Sequence, residues 1–137
     1  MENIVLIAGV HGVSGRAAAI RWAGVPGTKV YGLSRRDAEL PEGVEGIAVD
    51  LLDRADVERK LGGLAGITHV VFAAYIEKAS AAERSEVNVA ILRNLVEVVE
   101  KASPTLRHVA FYQGGKAYGS DLGPFKTPAR EDDPRLM

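Results

Sequence analysis

Residues 4–23, IVLIAGVHGVSGRAAAIRWA, place an apolar run, three glycines and a run of helix-forming residues in direct succession. The continuous apolar stretch at residues 4–8 is typical of a strand that is covered on both faces in a parallel sheet. The glycines follow in GxxGxxG spacing at residues 9–15, and residues 16–23 favour a helix. A strand, a glycine-rich turn and a helix in this order are typical of the first unit of a Rossmann-type fold.

The rest of the chain alternates further strands with helices. Asp53 and Ser80 stand where helix N-caps are expected, and Glu83 completes a capping box with Ser80. Because parallel neighbours need long crossover connections, this alternation predicts an α/β fold with a doubly wound parallel sheet of about five strands. The third strand follows the second through a loop rather than a clear helix. The remaining predicted strands cover residues 29–33, 46–50, 69–74 and 106–112, and the remaining predicted helices cover residues 55–61 and 81–102.

Composition and charge narrow the class of protein. The 137 residues carry a formal net charge of -1, contain no cysteine and are 47% hydrophobic. A near-neutral chain gives no reason to expect nucleic acid or an anionic membrane as a partner, and no apolar run is long enough to span a bilayer. The absence of cysteine excludes disulfides and thiolate metal sites, and the histidines lack a second ligand at suitable spacing. We therefore expect a cytoplasmic α/β protein without a metal site.

The glycine turn has the properties of a diphosphate-binding loop. Gly9 allows a tight turn, Gly12 lets the main chain approach a pyrophosphate, and Gly15 lets the helix pack against the strand. The phosphates would meet the free amides and the positive end of the helix dipole. A sharp structural turn without a ligand is the alternative. The residues of this turn that are expected to contact a dinucleotide are Gly9, His11, Gly12, Val13, Ser14 and Gly15.

The end of the second predicted strand bears on the choice of cofactor. In a fold selective for NAD(H), an acid about twenty residues after the glycines accepts hydrogen bonds from the ribose 2′-hydroxyl. Here Arg35 and Arg36 follow Ser34, and a guanidinium can bind a 2′-phosphate through paired charge-assisted hydrogen bonds. NADP(H) is therefore the expected cofactor, with these three residues among its contacts. NAD(H) is the alternative, with Asp37 as the acid and the arginines in a solvated turn.

The ends of the third and fourth predicted strands join this site, because ligands of open parallel sheets bind at the carboxyl ends of the strands. Asp50 can contact adenine through its carboxylate or the adjacent main chain, next to Leu51. Ala73 and Ala74 are small residues where the chain must pass close to the cofactor, although packing in the core explains either alanine alone equally well. Tyr75 follows them on the same rim.

Several motifs, taken together, resemble one enzyme family. The chain resembles the extended short-chain dehydrogenases/reductases, and within them the progesterone 5β-reductase and iridoid synthase group. The resemblance covers only the N-terminal part of that family, so the fold is expected to be incomplete relative to the full family fold. The motifs follow in order over essentially the whole chain: GVHGVSG at 9–15, VYGLSRR at 30–36, THVVF at 68–72, Asn88 with LRNL at 92–95, LRHV at 106–109, GKAY at 115–118, GPF at 123–125 and EDDPRL at 131–136.

The resemblance implies a chemistry. It is the NADPH-dependent reduction of an activated carbon–carbon double bond in an enone or enal, with hydride going to the β-carbon while a lysine and a tyrosine stabilise the enolate oxygen. By motif, Lys116 matches the lysine. The family's tyrosine belongs to a segment expected shortly after Leu136, so this chain is expected to be catalytically incomplete. Residues 1–113 form the predicted dinucleotide-binding domain, and residues 114–137 form a predicted loop or tail toward a substrate-binding region absent from this sequence.

Two tyrosines are further candidates for the catalytic hydroxyl. Tyr112 and Lys116 have the Tyr-x-x-x-Lys spacing of ordinary short-chain dehydrogenases, which works when both residues share one face of a helix. Gly114 and Gly115 disfavour a helix here, so Tyr112 is expected to be a strand residue near the cofactor. Tyr118 is the other candidate.

Two other functions stay open. Without the tyrosine segment, the chain could be a non-catalytic NADP(H)-binding or redox-sensing module, or it could be related to nucleotide-sugar epimerases and dehydratases of the same superfamily. His11, Gln113 and Ala117 differ from the pattern of the reductase group, which leaves the small-molecule substrate open. The apolar helix at residues 81–102 can face the core or a homodimer partner.

Overall fold

A computed structural model of the protein describes residues 2–36 and 38–135, in which parallel strands alternate with helices. One short 3₁₀ helix, Gly115–Tyr118, follows the last strand. No helix in these two ranges is both long and apolar enough to cross a membrane. In chain order the elements are β1 (Asn3–Ala8), α1 (Val13–Ala23), β2 (Thr28–Ser34), β3 (Val44–Ala48), α2 (Arg54–Leu61), β4 (His69–Phe72), α3 (Ala81–Ala102) and β5 (His108–Phe111).

The five strands form one parallel sheet in the order β3-β2-β1-β4-β5. The chain winds outward from β1 to β3 and then returns to the other side of β1 to form β4 and β5. Ala8 lies beside Leu33 of β2 and Phe72 of β4, so these three strands end at the same edge of the sheet. The predicted α/β fold with a doubly wound parallel sheet of five strands is therefore confirmed, and the winding reverses between β1 and β4.

Apolar side chains bury both faces of the central strand. Val5 and Ile7 belong to the core on the α1 side, whereas Leu6 and Ala8 belong to the larger core beneath α2 and α3. All four are fully buried, which explains why β1 is apolar without interruption. As the sequence indicates, a loop rather than a helix joins β2 to β3, and Leu40 of that loop packs against the α1 side.

The predicted helix caps form in the structure. Asp53 Oδ1 accepts hydrogen bonds from the amides of Ala55 and Asp56 at 3.0 and 3.2 Å. At the start of α3, Ser80 Oγ accepts a hydrogen bond from the amide of Glu83 at 3.2 Å. The Glu83 carboxylate accepts from the Ser80 hydroxyl at 2.9 Å rather than from its amide. Both caps fix where their helices begin.

Several element boundaries differ from the prediction. The helix α1 begins at Val13 rather than residue 16, and β3 spans Val44–Ala48 rather than residues 46–50. The strand β4 ends at Phe72 rather than at residue 74, although the Ala73 amide still donates to the Ala8 carbonyl at 3.0 Å. Residues 115–118, expected to be loop, form the short 3₁₀ helix. The domain boundary at residue 113 stays a prediction.

Candidate functional site

A cavity of about 610 Å³ opens at the carboxyl edge of the sheet, where the chain leaves β1, β2, β3 and β4. Its volume lies within the usual range for small-molecule and cofactor sites. The cavity extends across the point between β1 and β4 where the winding of the sheet reverses. Its lining comprises Gly9, Val10, His11, Gly12, Leu33, Ser34, Arg35, Arg36, Ala38, Val49, Asp50, Leu51, Ala73, Ala74, Tyr75, Ile76 and Ile91.

The glycine turn is shaped by contacts that leave no room for side chains. Gly9 has φ +81°, and a Cβ on it would lie 2.6 Å from the Ala73 carbonyl oxygen. A Cβ on Gly15 would lie 2.1 Å from the Gly9 carbonyl oxygen, so α1 packs directly against the turn. The Gly12 amide closes the turn by donating to the Gly9 carbonyl at 3.0 Å. The contact between Gly9 and Ala73 places the turn directly against the main chain of residues 73 and 74.

The N-terminus of α1 opens toward the cavity without a capping side chain. Gly12 is its N-cap and has no side chain to accept hydrogen bonds, in contrast to Asp53 of α2 and Ser80 of α3. The first turn of α1 contains no acid. Of the predicted contacts in this turn, Val13 and Ser14 are exposed and outside the cavity lining. The arrangement leaves main-chain amides and the positive end of the helix dipole available to an anion.

The two arginines lie on the cavity rim at the end of β2. Arg35 and Arg36 are exposed, and both belong to the lining. The Ser34 hydroxyl donates to the Arg36 carbonyl and so forms the turn that carries them. Asp37, the acid of the NAD(H) alternative, lies outside the described residues.

The loop at residues 49–52, called here the 49–52 loop, is fastened by side chains at successive positions. The Asp56 carboxylate accepts a hydrogen bond from the Asp50 amide at 2.9 Å. The Asp50 side chain accepts from the Leu52 amide at 3.0 Å, and Asn94 Nδ2 donates to the Leu51 carbonyl at 2.8 Å. Asp50 and Leu51, both predicted contacts, therefore line the cavity from a loop held by α2 and α3.

The charge of Asp56 supports its role in holding the 49–52 loop. The side chain is 9% exposed and forms ion pairs with Arg59 and Lys60. The hydrogen bond from the Asp50 amide is the largest cause that lowers the pKa of the Asp56 carboxyl below its ordinary value, followed by the hydrogen bond from Lys60. Burial acts in the opposite direction and is outweighed. Asp56 is therefore ionised at neutral pH, as a strong acceptor for the Asp50 amide.

The loop at residues 73–76, called here the 73–76 loop, forms the opposite side of the cavity. Asn88 of α3 binds the main chain of Ile76 at both its amide and its carbonyl. Tyr75 is 56% exposed, and its hydroxyl is hydrogen-bonded to the Glu77 carboxylate. That hydrogen bond is the main cause that lowers the pKa of Glu77, and the charges of Arg84 and Lys116 lower it further.

The candidate catalytic residues lie outside the lining of the cavity. Lys116 is exposed on the 3₁₀ helix, and its charge acts on Glu77. The structure ends β5 at Phe111, so the prediction that Tyr112 is a strand residue is wrong, and Tyr112 follows the strand directly. As the two glycines indicate, Tyr112 shares no α-helix with Lys116. Tyr118 is half-buried and faces a second, small cavity of about 70 Å³ near Phe125. The structure gives none of these three residues a contact with the main cavity, and their catalytic roles stay predictions.

Eleven of the predicted contacts lie together around the cavity, whereas Val13, Ser14 and Gly15 lie in the adjoining helix turn. Sequence reasoning missed six lining residues, most of them apolar. Ile91 carried a signal, because it belongs to the apolar stripe of the predicted helix, but a stripe indicates burial in general rather than a cavity floor. The missed residues are Val10, Leu33, Ala38, Val49, Ile76 and Ile91.

Comparison with protein families and curated proteins gives a consistent result. A family model described as PRISE-like Rossmann-fold domain matches residues 44–136. The chain is 35% identical to a 3-oxo-Δ4,5-steroid 5β-reductase from Arabidopsis thaliana and 33% identical to an (S)-8-oxocitronellyl enol synthase from Nepeta cataria. These alignments cover 99% and 98% of this chain but only 38% of each relative. The chain thus spans well under half the length of these curated relatives.

Solved structures show the same architecture. A short-chain dehydrogenase/reductase superfamily protein from Agrobacterium tumefaciens, solved with bound NAD, is 26% identical and superposes with a TM-score of 0.71. The superposition covers 98% of this chain and 39% of that protein. The resemblance seen in the motifs therefore extends to the fold. In both comparisons the chain matches well under half of the larger protein.

Proposed function

The chain belongs to the family of PRISE-like Rossmann-fold domains, and from this membership we propose that its cavity binds NADP(H) for an oxidoreductase. The observation that supports the proposal most strongly is the position of the cavity. It extends from the end of β2, past the glycine turn, to the 73–76 loop on the other side of β1. Dinucleotides bind across this point in doubly wound sheets, with the pyrophosphate at the first helix N-terminus.

The residues present fit such a ligand. Glycines at positions 9 and 12 bring main chain to the cavity surface, and a Cβ at Gly9 would collide with Ala73. The uncapped start of α1 offers amides to a diphosphate. The half of the ligand that carries the 2′-phosphate would lie near Arg35 and Arg36, and the nicotinamide half near the 73–76 loop. When bound, reduced nicotinamide supplies the hydride.

NADP(H) is proposed over NAD(H) because of the two exposed guanidinium groups. Arg35 and Arg36 can form charge-assisted hydrogen bonds to a 2′-phosphate, each contributing about 1.5–3 kcal/mol. NADH lacks that phosphate and would leave both groups in solvent. The arginines should therefore discriminate between the two cofactors by at least about tenfold.

For the whole protein, we propose reduction of the activated carbon–carbon double bond of an enone or enal. Hydride addition at the β-carbon moves an electron pair onto the carbonyl oxygen, and a proton then adds at the α-carbon. A positive charge next to that oxygen stabilises the developing enolate. Lys116 is the residue proposed for this role, because it matches the lysine motif and its charge acts on Glu77, the residue next to Ile76 of the cavity lining.

A second candidate is a cofactor-binding module without catalysis. One observation favours it: Lys116, Tyr112 and Tyr118 lie outside the cavity lining. Such a module would bind NADP(H) as tightly as the enzyme does and would show no enone reduction. Binding and turnover, measured separately, distinguish the two functions.

The test is calorimetric titration of the chain with NADPH and NADH, repeated on the double variant Arg35→Ala/Arg36→Ala. We expect NADPH to bind more tightly than NADH, and the double variant to lose at least about tenfold in NADPH affinity with little change for NADH. Arg93→Ala, which removes an exposed guanidinium from α3, is the matched control. Equal affinity for the two cofactors in the unsubstituted chain would contradict the NADP(H) assignment.

A further inference from the structure

The helix α3 carries two asparagines whose side chains hold the main chain on both sides of the cavity. Asn88 Oδ1 accepts from the Ile76 amide at 2.9 Å, and Asn88 Nδ2 donates to the Ile76 carbonyl at 2.7 Å. Nδ2 also donates to the Arg84 carbonyl within the helix at 2.8 Å. Asn94 Nδ2 donates to the Leu51 carbonyl at 2.8 Å. One helix therefore holds both the 49–52 loop and the 73–76 loop.

The spacing of these residues makes α3 a spacer between the two loops. Asn88, Ile91 and Asn94 follow at steps of three, so they lie along one side of the helix. Ile91 is 2% exposed and lines the cavity between the two attachment points. The two asparagines are separated by about 9 Å along the helix axis. A rigid element of fixed length thus sets the distance between the two sides of the cavity.

We propose that Asn88 and Asn94 are positioning residues for the dinucleotide, each acting on a different half of it. The proposal rests on the NADP(H)-binding function. The 49–52 loop lies on the β2 side, with the arginines, so Asn94 positions the surface for the adenosine half. The 73–76 loop lies on the other side of β1, so Asn88 positions the surface for the nicotinamide half.

The amide group is the chemistry that these attachments require. Pairing with both the amide and the carbonyl of Ile76 needs one acceptor and one donor on a single side chain, which asparagine provides and aspartate or leucine does not. The 49–52 loop is also held by Asp56, so loss of Asn94 frees one of several attachments. Asn88 supplies both side-chain attachments at Ile76, and its loss should displace the 73–76 loop further.

The experiment uses two ligands of different extent on the 137-residue chain. The ligand 2′,5′-ADP contains only the adenosine half with its 2′-phosphate, whereas NADPH contains both halves. Calorimetric affinities are measured for the unsubstituted chain, Asn88→Ala and Asn94→Ala. Glu100→Ala, at an exposed position of the same helix outside the cavity lining, is the control. Thermal unfolding of each variant shows that it folds.

The two variants should give different patterns. Asn94→Ala should weaken 2′,5′-ADP and NADPH by the same factor, about 3- to 10-fold, the value of one hydrogen bond. Asn88→Ala should weaken NADPH binding by at least that factor, because two hydrogen bonds to Ile76 are lost, and should leave the affinity for 2′,5′-ADP within about twofold. The proposal is overturned if both variants lower the affinity for both ligands equally, or if neither variant changes the affinity for either ligand. The asparagines would then only support the fold. An unsubstituted chain that binds neither ligand would instead overturn the NADP(H)-binding function.

Discussion

Gly15 is the residue at which the candidate site has the least room for change. A Cβ there would lie 2.1 Å from the Gly9 carbonyl oxygen and 3.2 Å from the Val10 Cα, and both are main-chain atoms that cannot rotate away. Gly15→Ala should therefore separate α1 from the glycine turn and lower the free energy of unfolding by about 1–3 kcal/mol. Urea denaturation followed by circular dichroism measures the change.

Gly63→Ala is the matched control for that substitution. A Cβ on Gly63 would meet nothing within 4 Å, so this variant should stay within about 0.5 kcal/mol of the unsubstituted chain. Two variants of equal stability would show that the turn can relax around a methyl group, contrary to the close packing described above.

At the same scale, the sequence predicts some site residues and not others for a physical reason. Gly9, Gly12 and the two arginines are recognisable because their roles depend on local spacing after a strand. Ile76 and Ile91 line the cavity only because distant segments meet there. Their apolar character indicates burial, and the cavity that they border depends on the tertiary arrangement of a loop and a helix.

On the scale of one element, α2 stabilises the 49–52 loop through Asp56 in a pH-dependent manner. The fold lowers the pKa of the Asp56 carboxyl below its ordinary value of 3.8, chiefly through the Asp50 amide. Its stabilising contribution is therefore complete above pH 3.8 and is lost as the pH falls through the lower pKa of the folded state. Asp56→Asn keeps an acceptor for the amide but removes the charge that pairs with Arg59 and Lys60.

We expect Asp56→Asn to have a lower free energy of unfolding than the unsubstituted chain at neutral pH. This difference should become smaller as the pH falls below 3.8. Urea denaturation at a series of values from about pH 7 to pH 3 measures it. Asp53→Asn is the control, because it removes the same charge from the same helix while asparagine caps as well as aspartate. A stability difference independent of pH would contradict the role of the ionised carboxylate.

Element boundaries show where periodicity alone is insufficient. The sequence predicts β3 at residues 46–50, and the structure has it at Val44–Ala48. Val44 pairs with Val30, and Ala48 with Ser34, so the register against β2 decides the ends of this strand. The register depends on how two strands pair, so the pattern of apolar and polar residues within one strand does not predict it.

For the whole molecule, the handedness of crossovers leaves few possible orders of the strands, and the face on which each connection packs decides between them. The connections through α1 and through Leu40 pack on one face, and α2 and α3 pack on the other. Right-handed crossovers on opposite faces place β2 and β3 on one side of β1 and β4 and β5 on the other. The opening between the ends of β1 and β4, where the cavity lies, follows from this topology and does not depend on particular side chains.

The same topology predicts that the proposed cofactor stabilises the whole sheet. The cavity is lined by segments after β1, β2, β3 and β4, which come together only in the folded chain, so NADPH should bind the folded state alone. At about 100 times its dissociation constant, it should raise the free energy of unfolding by about 2.7 kcal/mol. For a chain of this length, that corresponds to about 9 °C in the thermal midpoint. Scanning calorimetry measures the shift, and NADH at the same concentration should produce a smaller one. NADPH could instead saturate the chain in titration and leave the thermal midpoint unchanged. That result would mean that its site does not depend on folding, so NADPH would not bind in the cavity at the carboxyl edge of the sheet.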